Sequence, residues 1–193
     1  MPTPEAKTRR QQLRAATQAE HAQLDALFPD GLTDADSYRR YLQGMHRLCA
    51  DIGSRWKQVP VSALRDDVRQ RVRLLEADLA HLGHAPLPPG PPLQLHGELE
   101  LAGAEYVMQG SRHGALLLIR QVQALGHGPD TGAAFLHWLT RPQGKQAWEA
   151  LLEDIAHKLQ GDADESSLMA AAIRTFAAAS FAFERARHAR TSP

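Results

Sequence analysis

Two stretches of the chain carry residue types that could do chemistry at useful spacings. In the first, His21 falls on the apolar side of an amphipathic stretch with Leu13, Thr17, Leu24 and Phe28, and Arg14 lies seven residues before it. On a helix that separation is two turns, about 10 Å, along one stripe. A neutral imidazole there can ligate a metal ion or a haem iron, and a cation two turns away can meet an anionic edge of the same ligand. The spacing equally suits a histidine hydrogen-bonded to a backbone carbonyl beside a solvated arginine. In the second stretch, Tyr106-Val-Met-Gln-Gly110-Ser-Arg-His-Gly114-Ala115, two glycines four apart bare the backbone on one helix face. A bulky flat ligand can approach such a face, and so can a closely packed second helix.

The remaining candidates are weaker. Asp78 and His81, and Asp154 and His157, each place a carboxylate and an imidazole at i, i+3. A carboxylate-bridged di-iron bundle wants Glu-x-x-His pairs plus two further inward glutamates, and no Glu-x-x-His occurs in the chain. His81, Asp154 and His157 also fall off the apolar stripes, so a solvated face is expected for these pairs. Cys49 is the only cysteine, which excludes an intrachain disulfide and a four-cysteine zinc site. It sits within an apolar stripe, as an inert core residue does. The sequence holds no Walker loop, no Gly-x-Gly-x-x-Gly after a strand, no His-Glu-x-x-His and no Gly-x-Ser-x-Gly.

The elements that must position these residues all read as helices. Apolar positions recur at three- and four-residue steps over 13–28, and Pro29-Asp-Gly31 ends that helix. A second stripe runs from Tyr38 to Trp56 and is broken at Pro60, and a third runs from Leu64 to Leu82. His84 to Pro92 is a proline-rich, extended crossover. A helix resumes near Glu98 and continues to about Ala124, carrying Gly103, Gly110 and Gly114. Shorter helical segments follow around Phe135–Leu139 and Trp148–Leu159, and an alanine-rich helix spans Leu168 to Phe183. With no period-two strand, the expected architecture is all-α: one helical bundle over residues 1–193, with about ten N-terminal residues and a few C-terminal ones loose.

Lys plus Arg and Asp plus Glu both number 22, giving zero formal net charge. That balance argues against a nucleic-acid partner held through phosphate charge. No uninterrupted apolar run approaches the roughly 20 residues that span a bilayer, so no membrane association is expected. With no apolar leader after Met1, a soluble cytoplasmic protein is the expectation.

Both motifs together resemble the haem oxygenase family. Leu13-Arg-Ala-Ala-Thr-Gln-Ala-Glu-His21 is similar to the family's proximal-helix signature, Leu-(Lys/Arg)-x-x-Thr-x-x-x-His. The segment from Tyr106 to Ala115 resembles the bacterial distal-helix form, Tyr-Val-x-Glu-Gly-Ser-x-x-Gly-(Gly/Ala). The order and separation of the motifs, Phe135-Leu-x-Trp138, Trp148 and the tail around Thr175-Phe176-Ala177 extend the likeness over nearly the whole chain. The resemblance is to the compact bacterial members, including those that supply biliverdin to phytochromes. It implies His21 as the proximal iron ligand, with Thr17 lining the same face. Arg14 and the Tyr106 hydroxyl would meet haem propionates. Gly110 and Gly114 would lie over the haem plane, and Ser111 would help order distal water.

The implied reaction is oxidative cleavage of haem to biliverdin, CO and Fe(II) with O2. A ferredoxin or flavoprotein reductase would be the electron donor and a bacteriophytochrome a candidate acceptor; the alternative is a non-catalytic haem carrier or sensor on the same fold. Two residues depart from the pattern. Gln109 stands where the family usually has Glu, and His113 precedes Gly114. About 100° separates neighbouring helix positions, so the His113 ring is expected to point away from the glycine face.

Overall fold

The computed structural model describes residues 3–53 and 63–189. Trp56 and Pro60 lie outside the described residues. Eight helices form among them, α1 (Pro4–Ala16), α2 (Gln18–Asp25), α3 (Ala35–Gly53), α4 (Ala63–His81), α5 (Gly97–Ala124), α6 (Ala134–Leu139), α7 (Gln143–Lys158) and α8 (Asp162–His188), and no strand does.

From Thr3 onward the N-terminal residues are ordered into the bundle rather than loose. The Thr3 hydroxyl accepts from the Ala6 N–H, Pro4 opens α1, and Ala6 is fully buried. Nor is 13–28 one helix. At Thr17 the backbone leaves helical values (φ −109°, ψ 11°), separating α1 from α2. The Thr17 hydroxyl donates to the Leu13 carbonyl at 2.8 Å, the acceptor that its own N–H also uses. A side chain that shares a helix carbonyl in this way often bends the helix, although Thr8 and Thr175 make the same bond within continuous helices. At the far end of α2, Gly31 takes φ 74°, a conformation that glycine adopts freely. The Gln121 side chain of α5 bonds both the Asp30 carbonyl and the Leu32 N–H, fixing that turn.

Long helices α3, α5 and α8 pack together, α4 lies on α3, and α7 packs on α1 and α5. The main core joins Tyr38, Leu42, Leu75, Leu79, Met108, Phe135 and Phe183; a second, around Leu13, Tyr106, Trp148, Leu152 and Phe176, cements α1 and α7 to α5 and α8. Helix α8 is long and apolar enough, by length and composition alone, to cross a bilayer. Within the bundle α2, α3 and α5 all pack against it. The proline-rich crossover is strapped to α3, where Gln43 donates to the Ala85 carbonyl and Asp51 accepts from the Gly90 N–H.

Asp78 is buried rather than on a solvated face. Its two carboxylate oxygens accept from the N–H groups of Ala134 and Phe135 at 2.9 and 2.8 Å, capping α6 from α4. Burial raises its pKa and these two bonds oppose that rise. Asp78→Ala strands both donors. Charge-assisted bonds of this kind contribute about 1.5–3 kcal/mol each, so the variant is expected to lose about 2 kcal/mol or more in urea unfolding while retaining its helical circular dichroism.

Candidate functional site

The kink at Thr17 sets where His21 points. Its N–H donates to the Thr17 carbonyl, placing it one turn beyond the bend. The imidazole is 61% exposed, stands 5.3 Å from the Phe176 ring of α8, and has Nδ1 3.5 Å from an Asp25 carboxylate oxygen. Asp25 is therefore the group that can orient the ring through Nδ1 and leave Nε2 free for a metal. Thr17 itself is buried with its hydroxyl committed to Leu13, so its part is to shape the helix.

Helices α2 and α5 both rest on α8 without packing closely on each other. The face of α5 that bears Gly110 and Gly114 is open: a Cβ built on either glycine meets no atom within 4 Å. Leu117, one turn beyond Gly114, is 71% exposed. The glycines therefore do not serve close helix packing. That role belongs to Gly103, whose Cβ would overlap the Leu168 carbonyl oxygen of α8. A bare backbone stripe, an exposed leucine and an uncommitted imidazole, sharing α8 as a floor, suit a flat apolar ligand that carries a metal.

Behind this open face, α5 is held by a buried polar cluster. Arg71 of α4 is fully buried. It pairs with Asp67 and donates to the Ser111 hydroxyl at 3.1 Å and the Met108 carbonyl at 2.9 Å. Ser111 also donates to Met108, at 2.7 Å. Arg112 reaches Asp67 at 3.0 Å, the Gln109 side-chain oxygen at 2.7 Å and the Leu139 carbonyl at 3.1 Å. Burial, then the neighbouring Arg71, pulls the Arg112 pKa down, and Asp67 opposes both. The Trp138 ring faces both guanidiniums. On the same helix stripe as Gln109 and Arg112, Glu105 has its pKa pushed up to about 7, first by burial and then by Asp67 and Asp154, with Lys158 opposing.

At one end of the open face Tyr106 is buried beside Trp148, with ring centroids 5.3 Å apart. Burial raises the Tyr106 pKa, while Arg10 and Arg14 pull it down. The structure thus brings Arg14 and Tyr106 into one electrostatic neighbourhood. His113 turns its ring onto Trp148 at 5.2 Å, with Nδ1 3.2 Å from the Gly110 carbonyl. Lys158 pairs with Asp154, and no group of three metal-ligating side chains occurs among the described residues. Cys49 is buried, and its thiol is pushed up to about 12 mainly by burial.

Sequence reasoning missed Asp25, Asp67, Arg71 and Arg112. Asp25 had a visible signal, its i+4 spacing from His21; the pairing of Asp67 with Arg71 had the same one, but its junction with Arg112 crosses between helices.

These features define an all-α bundle with an open face between two helices and a histidine on one of them. The fold is that of haem oxygenase: over 94% of this chain and 91% of the other, the structure superposes on the NO- and CO-bound heme oxygenase of Neisseria meningitidis with a TM-score of 0.73 and 21% identity. No protein-family model matches the sequence, and no curated protein matches it.

Two expectations follow. Gly110→Ala and Gly114→Ala each raise the stability of the ligand-free protein by up to about 1 kcal/mol, since alanine is the better helix former and the space is free. Gly103→Ala lowers it by about 1–3 kcal/mol through overpacking. Chemical denaturation of the three variants checks the opposite signs. The raised Glu105 pKa means that the folded state holds a proton which the unfolded chain has lost, so stability falls as pH rises from about 4.5 to about 7. Glu105→Gln is expected to flatten that part of the pH–stability curve and to exceed wild type above pH 7.

Proposed function

We propose that the protein is a haem oxygenase, binding haem between α2 and α5 and cleaving it to biliverdin. The observations that support this reading are the open Gly110–Gly114 stripe on α5 and the exposed His21 imidazole on α2, both on helices that pack on α8, in a fold shared with a haem oxygenase. Haem would be both substrate and site of O2 activation, its ring opening with release of CO and Fe(II) as external electrons arrive.

The same proposal gives each of the chain's own residues a role that its surroundings support. His21 supplies Nε2 to the iron, with Asp25 at Nδ1 fixing the tautomer. A histidine, unlike a thiolate, exerts little electronic push toward O–O cleavage, which suits attack on the porphyrin itself. Gly110 and Gly114 let the ring approach the α5 backbone, and Leu117 covers its apolar surface and sheds water as it does so. Arg14 and Tyr106 receive the carboxylate edge, and a charge-assisted contact there fixes the ring's rotation in the cleft. Ser111 is held by Arg71 on one side and donates to Met108 on the other, so its oxygen is a fixed polar point beside the glycines from which a distal water chain can start. A ferredoxin or a flavoprotein reductase would deliver the electrons, and a bacteriophytochrome is the proposed acceptor of the bilin. The turn of His113 onto Trp148 favours catalysis over a carrier or sensor with two histidine ligands.

Haem added to the purified protein should give a Soret band, and ascorbate or a ferredoxin system should convert it to a bilin. His21→Ala should lose both, with imidazole partly restoring them. An unchanged spectrum in His21→Ala assigns the ligand elsewhere. Stoichiometric haem binding without bilin under either reductant removes the enzyme reading and leaves the carrier.

A further inference from the structure

Helix α1 carries three arginines, and one of them is held in an ion pair. Arg9 pairs with Glu165 at 2.7 Å and bonds Gln12. Among the described residues, Arg10 and Arg14 have no carboxylate within ion-pairing distance. They are four residues apart, one above the other on the helix, and both act on the buried Tyr106 hydroxyl. The Arg10 guanidinium rests over the Trp148 ring at 5.9 Å. Trp148 in turn touches Tyr106 and His113, so Arg10 stands at the same end of the cleft as Arg14, next to the glycine stripe.

Three other cations of the bundle are already paired. Arg174 is paired with Glu100 at 2.8 Å, Arg112 with Asp67, and Lys158 with Asp154. Two like charges one turn apart repel, and two anions would relieve them. Haem has two carboxylates on one edge. Resting on the haem reading above, we propose that Arg10 is a second anchor for that edge. It exchanges the Trp148 face for one carboxylate while Arg14 and Tyr106 take the other. Arg10 then helps set which way round the ring sits, and with it which meso carbon is attacked.

The test compares haem with haem dimethyl ester, whose carboxylates are capped, by Soret titration of the full-length protein. Wild type should prefer haem. Arg10→Leu should cut that preference about tenfold, the scale of one charge-assisted contact. Arg14→Leu should do the same, the double variant about a hundredfold, and Arg10→Lys should keep most of it. Arg10 is exposed, and an unchanged thermal midpoint confirms that the fold is intact. The proposal is overturned if Arg10→Leu binds haem with a preference within twofold of wild type. It is equally overturned if Lys145→Ala, at the start of α7, removes the preference instead. Wild type that binds both porphyrins equally leaves the haem reading standing and sinks only the anchor; wild type that binds neither sinks both.

Discussion

A guanidinium with no solvent contact ties α4 to the middle of α5, and the open face depends on it. A helix that must leave one side bare cannot gain its hold from that side. Arg71 supplies it from behind, donating to Ser111 and to the Met108 carbonyl within the stretch that carries the glycines. The arrangement is demanding because two arginines share the single carboxylate of Asp67. Buried ion pairs are often no more stabilising than well-packed apolar groups, yet removing one partner strands the other at a cost of about 3–5 kcal/mol. The excess cation is distributed over the Met108 and Leu139 carbonyls, the Gln109 oxygen and the Trp138 ring. With Arg112 at that position, the neutral Gln109 is a consistent partner. It accepts the Nε donor without adding a second buried carboxylate.

The three interior glycines of α5, Gly103, Gly110 and Gly114, are not alike in their surroundings. Each costs about 1 kcal/mol against alanine in a helix interior. At Gly103 that cost is offset by the close approach of α8. At Gly110 and Gly114 nothing in the fold offsets it, because no neighbouring atom comes near. On the proposed reading, the glycine pair is explained by a ligand that lies against it when bound. The fold alone would not establish this, since one architecture serves many activities. The free space on α5 and the exposed imidazole on α2 are the local features on which the proposed reading rests.

Most of the architecture was legible in the apolar periodicity, because each long helix buries one continuous stripe. The start of α1 was also written in the sequence, in Thr3 before Pro4 with Glu5 following, but the stripe begins later and hid it. The bend at Thr17 was not legible. The Thr17 hydroxyl bonds the Leu13 carbonyl there, but Thr8 and Thr175 make the same bond inside unbroken helices, so the residue type does not mark the break. Asp78 looked solvated because its partners, the N–H groups of Ala134 and Phe135, lie more than fifty residues away. The site motifs around His21 and Tyr106–Ala115 are local, and both were visible. The groups that support them, Arg71 behind α5 and Trp148 beside Tyr106, come from other helices and follow only from how the bundle closes.

Thr17 and Asp25 show how little separates a structural histidine from one available to a ligand. Were α1 to continue straight through residue 17, His21 would extend the stripe of Leu13 into the second core. The bend takes it out of that stripe and stands its ring tilted beside Phe176, largely in solvent. A buried neutral imidazole would have needed a partner on both nitrogens. Here Asp25 is placed toward one nitrogen and the other is left without demand from the protein. A site assembled this way costs the fold little before the ligand arrives, because exposed groups carry no desolvation penalty. On the proposed reading, the stabilisation gained on binding would come from covering the bare α5 backbone, Leu117 and the His21 ring together. That gain is available only to a ligand broad enough to reach both helices at once.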